Sequence, residues 1–82
     1  MTDFDKKHHE LQNVVNRVIY HAPKKSFTMN NLISMLKKEL PKDTTSGDIF
    51  YATELLKGTV HRLVLSNSIR KIDDVFYAIK ES

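Results

Sequence analysis

Between Ser46 and Ser66 the apolar residues Ile49, Ala52, Leu56, Val60 and Leu63 recur at spacings of three and four, the period of a helix with one buried face. Leu55 and Val64 widen the stripe. Thr45 or Ser46 can cap the start, and Asp48 suits the positive end of the helix dipole. The pattern predicts a helix over 46–66 that stops at Ser66-Asn67-Ser68, where Asn67 tolerates the left-handed backbone that ends many helices. Gly58 inside it costs about 1 kcal/mol against alanine. The stretch is therefore either one helix or two, hinged at Lys57-Gly58-Thr59.

The rest of the chain reads as the support such a helix needs. Residues 1–5 read as a loose terminus, followed by a helix over 5–22 with Leu11, Val14, Val15, Val18, Ile19 and Ala22 on one side. Pro23 disfavours helical backbone in the residue before it. After the short connection Lys24-Lys25-Ser26, a second helix is predicted over 28–40. Thr28 suits the cap, and Phe27 and Leu32 are spaced to close as a hydrophobic staple. Met29, Leu32, Ile33, Leu36 and Leu40 point inward, Lys37, Lys38 and Glu39 outward, and Pro41 ends the run. Beyond Asn67, Ile69-Arg70-Lys71-Ile72 and Val75-Phe76-Tyr77-Ala78-Ile79 flank Asp73-Asp74, which predicts a hairpin over 69–79. A two-residue loop puts Arg70, Ile72, Val75, Tyr77 and Ile79 on one face and is preferred here. A three-residue loop groups Ile72 with Phe76 and Ala78.

Composition narrows the class. A chain of 82 residues, 40% apolar and 28% charged, suits one small globular domain without room for a deep, sheltered active site. It has no cysteine, so disulfide and thiolate chemistry are excluded. The absence of a long apolar run and of a basic-then-apolar leader points to a soluble, cytoplasmic protein without a membrane partner. The net charge is only +3, but its distribution is uneven. From Lys57 to Lys71 the ionised residues are Lys57, Arg62, Arg70 and Lys71, with His61 among them and no acid. Such a run attracts phosphate, although a solvated face explains a charge cluster equally well.

Three helices followed by a hairpin, a mainly α (α+β) arrangement, resemble the winged helix-turn-helix fold. Phe27-Thr28-Met29-Asn30-Asn31-Leu32 is similar to the usual opening of its second helix. Gly58-Thr59-Val60-His61-Arg62-Leu63 resembles the glycine or alanine, threonine, valine, tyrosine, arginine run of many recognition helices, and Asn67-Ser68-Ile69-Arg70-Lys71-Ile72-Asp73 resembles the junction into the wing. The usual glycine-leucine of that junction is Asn67-Ser68 here. The resemblance covers residues 8–79 and implies a third helix in the DNA major groove with the hairpin beside it. It makes Tyr51, Glu54, Lys57, His61 and Arg62 candidates for the groove, and Arg70, Lys71, Lys24 and Lys25 candidates for phosphates, which supply affinity while base edges supply sequence choice.

Other chemistries find little support. His8 and His9 are adjacent and so lie on different helix faces, unlike the i, i+4 pair of a zinc helix. Gly47 and Gly58 are isolated, no serine or threonine sits in a nucleophile elbow, and Asp73-Asp74 reads as a turn. No catalytic residue, metal site, cofactor or small-molecule substrate is expected, and the chain does not read as an enzyme. Met29, Met35 and Phe50 read as residues of the core or of the fold's surface. Tyr51 and Leu65 fall off the main stripe and are candidates for a protein interface. Two functions follow as expectations. The first is a DNA-binding transcriptional regulator acting as a dimer, and the alternative is an adaptor or inhibitor that uses the same fold to bind protein.

Overall fold

The computed structural model describes residues 2–22 and 26–78. The elements in chain order are α1 (Asp3–Tyr20), β1 (Phe27–Thr28), α2 (Met29–Glu39), α3 (Ser46–Leu65), β2 (Ile69–Ile72) and β3 (Val75–Ala78). The architecture is α+β and mainly helical, with one antiparallel sheet in the order β1-β3-β2. Among the described residues no helix is long and apolar enough to cross a membrane.

The helix ends follow from side chains that satisfy the amides and carbonyls a helix leaves unpaired. At the start of α1 the Asp5 amide donates to the Thr2 hydroxyl at 3.2 Å and the Thr2 amide donates to the Asp5 carboxylate at 3.4 Å. This reciprocal box begins the helix at Asp3, so residues 2–5, expected to be loose, form its cap and first turn. Thr28 and Asn31 repeat the device at α2, with both bonds within 3.0–3.2 Å. Thr45 caps α3 by accepting from the Asp48 amide. At the other end of α3 the Ser68 amide donates to the Leu63 carbonyl and the Asn67 amide to the Val64 carbonyl. Asn67 sits at φ 63. That pairing with a left-handed residue is a Schellman motif, which turns the chain sharply out of α3 into β2.

The apolar stripes meet in one core. Leu11, Val14, Val15 and Val18 of α1, Leu32 and Leu36 of α2, and Ala52, Leu56 and Val60 of α3 are buried together with Phe27, Ile69 and Phe76 of the sheet. Leu32, Leu36, Leu56 and Ala52 have no exposed surface at all. Phe27 and Leu32, the two residues spaced as a staple, both belong to this core.

The sheet departs from the sequence expectation in one respect. Phe27 and Thr28 form a third strand that pairs with β3, Phe27 opposite Phe76 and Thr28 opposite Val75. The two phenyl rings stack with centroids 5.7 Å apart. The β2–β3 hairpin has the two-residue loop, with Ile72 opposite Val75 and Arg70 opposite Tyr77. Asp73 adopts φ 55 to close it, a conformation that aspartate reaches more easily than most side chains. Ile69 and Phe76 turn inward. Ile72 and Tyr77, on the opposite face, stay 50% and 37% exposed. Ile79, placed on that face by the sequence pattern, lies outside the described residues.

α3 runs unbroken through Gly58 for 20 residues. The glycine has no positive φ, and a Cβ added there meets nothing within 4 Å. Gly58→Ala should therefore stabilise the fold by about 0.5–1 kcal/mol, and a thermal melt followed by circular dichroism should rise by roughly 2–8 °C. An unchanged or lower midpoint would show that the position uses the freedom of glycine.

Candidate nucleic-acid interface

Because α3 buries Ala52, Leu56 and Val60, its rotation of roughly 100° per residue assigns every other position to one of three directions. The first flank faces α1 and is tied to it by polar contacts. Lys7 pairs with Asp48 at 3.3 Å, and His8 Nδ1 and the Tyr51 hydroxyl share a hydrogen bond of 2.7 Å. The Gln12 amide donates to the Thr59 hydroxyl at 3.2 Å, and that hydroxyl donates to the Leu55 carbonyl at 2.8 Å. Phe4 packs edge-on to Tyr51, with ring centroids 6.0 Å apart.

Tyr51, expected in the groove and at a protein interface, is placed by these contacts on the side of α3 that faces α1. It is half-buried against α1, with its hydroxyl bonded and its ring covered on one side by Phe4 and His8. Six residues separate it from Lys57, which turns the two side chains roughly 120° apart on the helix. Arg62 belongs to the same flank. Its guanidinium donates to the Thr59 hydroxyl at 3.4 Å, so it does not join Lys57 and His61.

The second flank carries the convergence. Lys57, His61 and Val64 of α3, Lys71 of β2, Met29 at the start of α2 and the buried Phe76 line one cleft of about 160 Å³. The Lys71 ammonium stands 5.9 Å from the centre of the Phe76 ring, an arrangement in which the aliphatic stem covers apolar surface and the charge reaches solvent. Lys71 also lines the adjoining cleft with Met29, Asn30 and Asp74. Three cationic or titratable side chains from two elements thus meet at the amino-terminal end of a third. Among the described residues Lys71 makes no ion pair, and Lys57 is paired only with Glu54, at 3.7 Å and half-exposed. A surface pair of that kind is worth about 0–1 kcal/mol and opens readily.

The third direction points away from the core and holds Glu54 and Leu65, whereas Phe50, seven residues before Lys57 and so within roughly 20° of it, lies on the second flank and borders the groove with Ile33 and Lys37 of α2. Phe50 and Leu65 are 68% and 69% exposed. Leu65 has the exposure expected of an interface residue. Arg70 lies on the outer face of the hairpin, opposite Tyr77 in register, and so is turned away from Lys71, its neighbour in sequence. The hairpin tip is acidic, Asp73 and Asp74 both being exposed. Lys24 and Lys25 lie outside the described residues. The cationic run from Lys57 to Lys71, continuous in sequence, is in space three separate surfaces. Phe50, read from the sequence as core or fold surface, lies on the surface.

No protein-family model, curated protein or solved structure matches this chain.

The seam between α1 and α3 carries its own test. Tyr51→Phe removes the hydroxyl that meets His8 while leaving the ring in place. It should lower the stability measured by urea denaturation by about 0.5–1.5 kcal/mol, the usual worth of one such bond. A midpoint identical to that of the parent chain would mean that the bond contributes nothing in solution.

Proposed function

We propose that this chain is a winged-helix type DNA-binding domain of a transcriptional regulator, and that it takes duplex phosphate on the surface formed by Lys57, His61 and Lys71. The observation that carries the reading is the meeting of these side chains, from α3 and β2, at the start of α2. Cations on one helix alone are commonly a solvated face. Cations that separate elements deliver to one cleft, lined also by Val60, Val64 and Phe76, form a local positive field over low-dielectric surface. The order of helices, the sharp exit from α3 and the hairpin beside it support the winged-helix part. The outward half of α3, with a diameter of roughly 10–12 Å including side chains, suits a major groove about 12 Å wide.

This geometry revises which residues carry the charge. Lys57 and Lys71 take the phosphate role, with His61 beside them, and Arg62 and Arg70 become peripheral. The acidic tip keeps the hairpin end away from the backbone of the duplex. Contact is then through the flank of the hairpin and not through its turn.

A second reading, a protein-interaction module of the same fold, is favoured by the exposure of Leu65 on α3 and by the acidic tip. The two readings part on charge. With two to three phosphates neutralised, affinity for a generic labelled duplex should fall by about ten- to fortyfold between 50 and 200 mM salt. Lys57→Ala with Lys71→Ala should weaken binding and flatten the salt slope by about 2, while Arg62→Ala leaves the slope nearly unchanged. Fluorescence anisotropy measures all three. A double variant that binds like the parent removes the cleft from the interface. Absence of binding at the lower salt transfers the case to the protein module, where Leu65→Asp should abolish a partner complex without unfolding the chain.

A further inference from the structure

Of the four histidines, His61 is the one that lines the cleft with Lys57 and Lys71. The others belong to α1 and its end. His8 is bonded to Tyr51, His9 lies edge-on to His8, and His21 stands beside Tyr20 after the last turn. His61 is exposed, one helical turn after Lys57. Among the described residues it makes no ion pair. The charged groups around it come from three places. On α3 it shares the cleft with Lys57, while Arg62 turns to the α1 flank and Glu54 is held by Lys57. β2 sends Lys71 into the same cleft, and the hairpin turn sends Asp74 into the adjoining one. The start of α2 brings Met29 and Asn30, which carry no charge.

We propose that duplex binding takes up a proton at His61, so that falling pH tightens the hold of this cleft on phosphate. This rests on the reading of the chain as a duplex-binding domain. Histidine is the side chain whose ordinary change of charge falls between about pH 5 and 8, whereas lysine stays charged throughout that range. A phosphate seated against Lys57 and Lys71 brings a negative charge that the free cleft does not contain. An opposite charge within roughly 4–6 Å favours the protonated ring. Protonation and binding then strengthen each other by the same factor, as linkage between two ligands requires. The added charge also neutralises more of the duplex. Low pH should therefore steepen the dependence on salt as well as raise affinity.

The test uses the whole chain and a labelled generic duplex, followed by fluorescence anisotropy at about 50 and 200 mM salt and at about pH 8 and 5.5. The parent should bind about tenfold more tightly at the lower pH, the equivalent of one pH unit of coupling, with a salt slope steeper by about 0.9. His61→Gln cannot take up the proton and should lose most of that gain. His9→Gln, on α1, should keep it. His61→Lys carries a fixed charge, and at the higher pH it should bind more tightly than the parent, with little further gain on acidification. Circular dichroism at both pH values checks that each variant keeps its helices, and if one His61 variant loses them the other decides.

A parent chain whose salt-dependent binding ignores pH, or a His61 variant that gains as much on acidification as the parent, overturns this inference and leaves duplex binding standing. If the parent holds no duplex even at the lower pH and salt, the reading beneath it falls as well.

Discussion

The rotation of α3 about its own axis is the constraint on which the rest of this molecule depends. Ala52, Leu56 and Val60 are withdrawn from water between α1 and α2, and burying a side chain the size of leucine or valine is worth about 1.5–3 kcal/mol. No alternative rotation of the helix offers α1 and α2 an apolar stripe of equal length. Once it is set, every surface property of the helix follows. One flank is committed to α1 through Asp48, Tyr51 and Thr59, the other meets the hairpin and the start of α2 through Lys57 and His61, and the ridge between them carries Glu54 and Leu65.

The sheet makes that arrangement rigid on the side where the proposed chemistry lies. β1 contributes only two residues, yet it ties the segment before α2 to β3 and brings Phe27 against Phe76. An isolated hairpin is marginal in water, and a third strand with one face on a helical core is what makes it persist. The consequence for function is indirect. Phe76 is the floor on which the Lys71 stem rests, so the position of that ammonium relative to His61 and Lys57 depends on a strand that is short and distant in the chain. The Schellman turn at Asn67 acts in the same way, because it aims β2 back along α3.

The polar contacts divide the labour clearly. On the seam between α1 and α3 the ion pair and hydrogen bonds are internal, and the side chains that make them are poor candidates for contact with anything else. On the opposite flank Lys71 is unpaired among the described residues and Lys57 is held only by a solvent-exposed carboxylate. Surface ion pairs of this kind add little to stability. Lys57 and Lys71 are thus better explained by what they can attract than by what they hold together.

Much of the fold was legible in the residues themselves, because it rests on local rules. The 3.6-residue spacing marked all three helices and the residues that line the core. Thr28 marked one helix start and Thr45 or Ser46 another, Asn67 marked the end of α3, and the Asp73-Asp74 pair between two β-prone runs marked the hairpin, with the two-residue loop preferred over a three-residue one. The Thr2–Asp5 box was equally local and was overlooked because an acid three residues after a threonine at a chain end reads as loose polar sequence. Tertiary structure alone decided the rest. β1 is two residues long and Phe27 pairs with Phe76, far along the chain, so no periodicity could reveal it. The candidate site was the least legible part. Lys57, Arg62, Arg70 and Lys71 form a single run along the chain, but a helix turns successive side chains through roughly 100° and a strand sends neighbours to opposite faces. Charge adjacent in sequence is therefore dispersed in space. Only the packing of α3 against α1 and of the hairpin against α3 determined that Lys57, His61 and Lys71 meet while Arg62 and Arg70 do not.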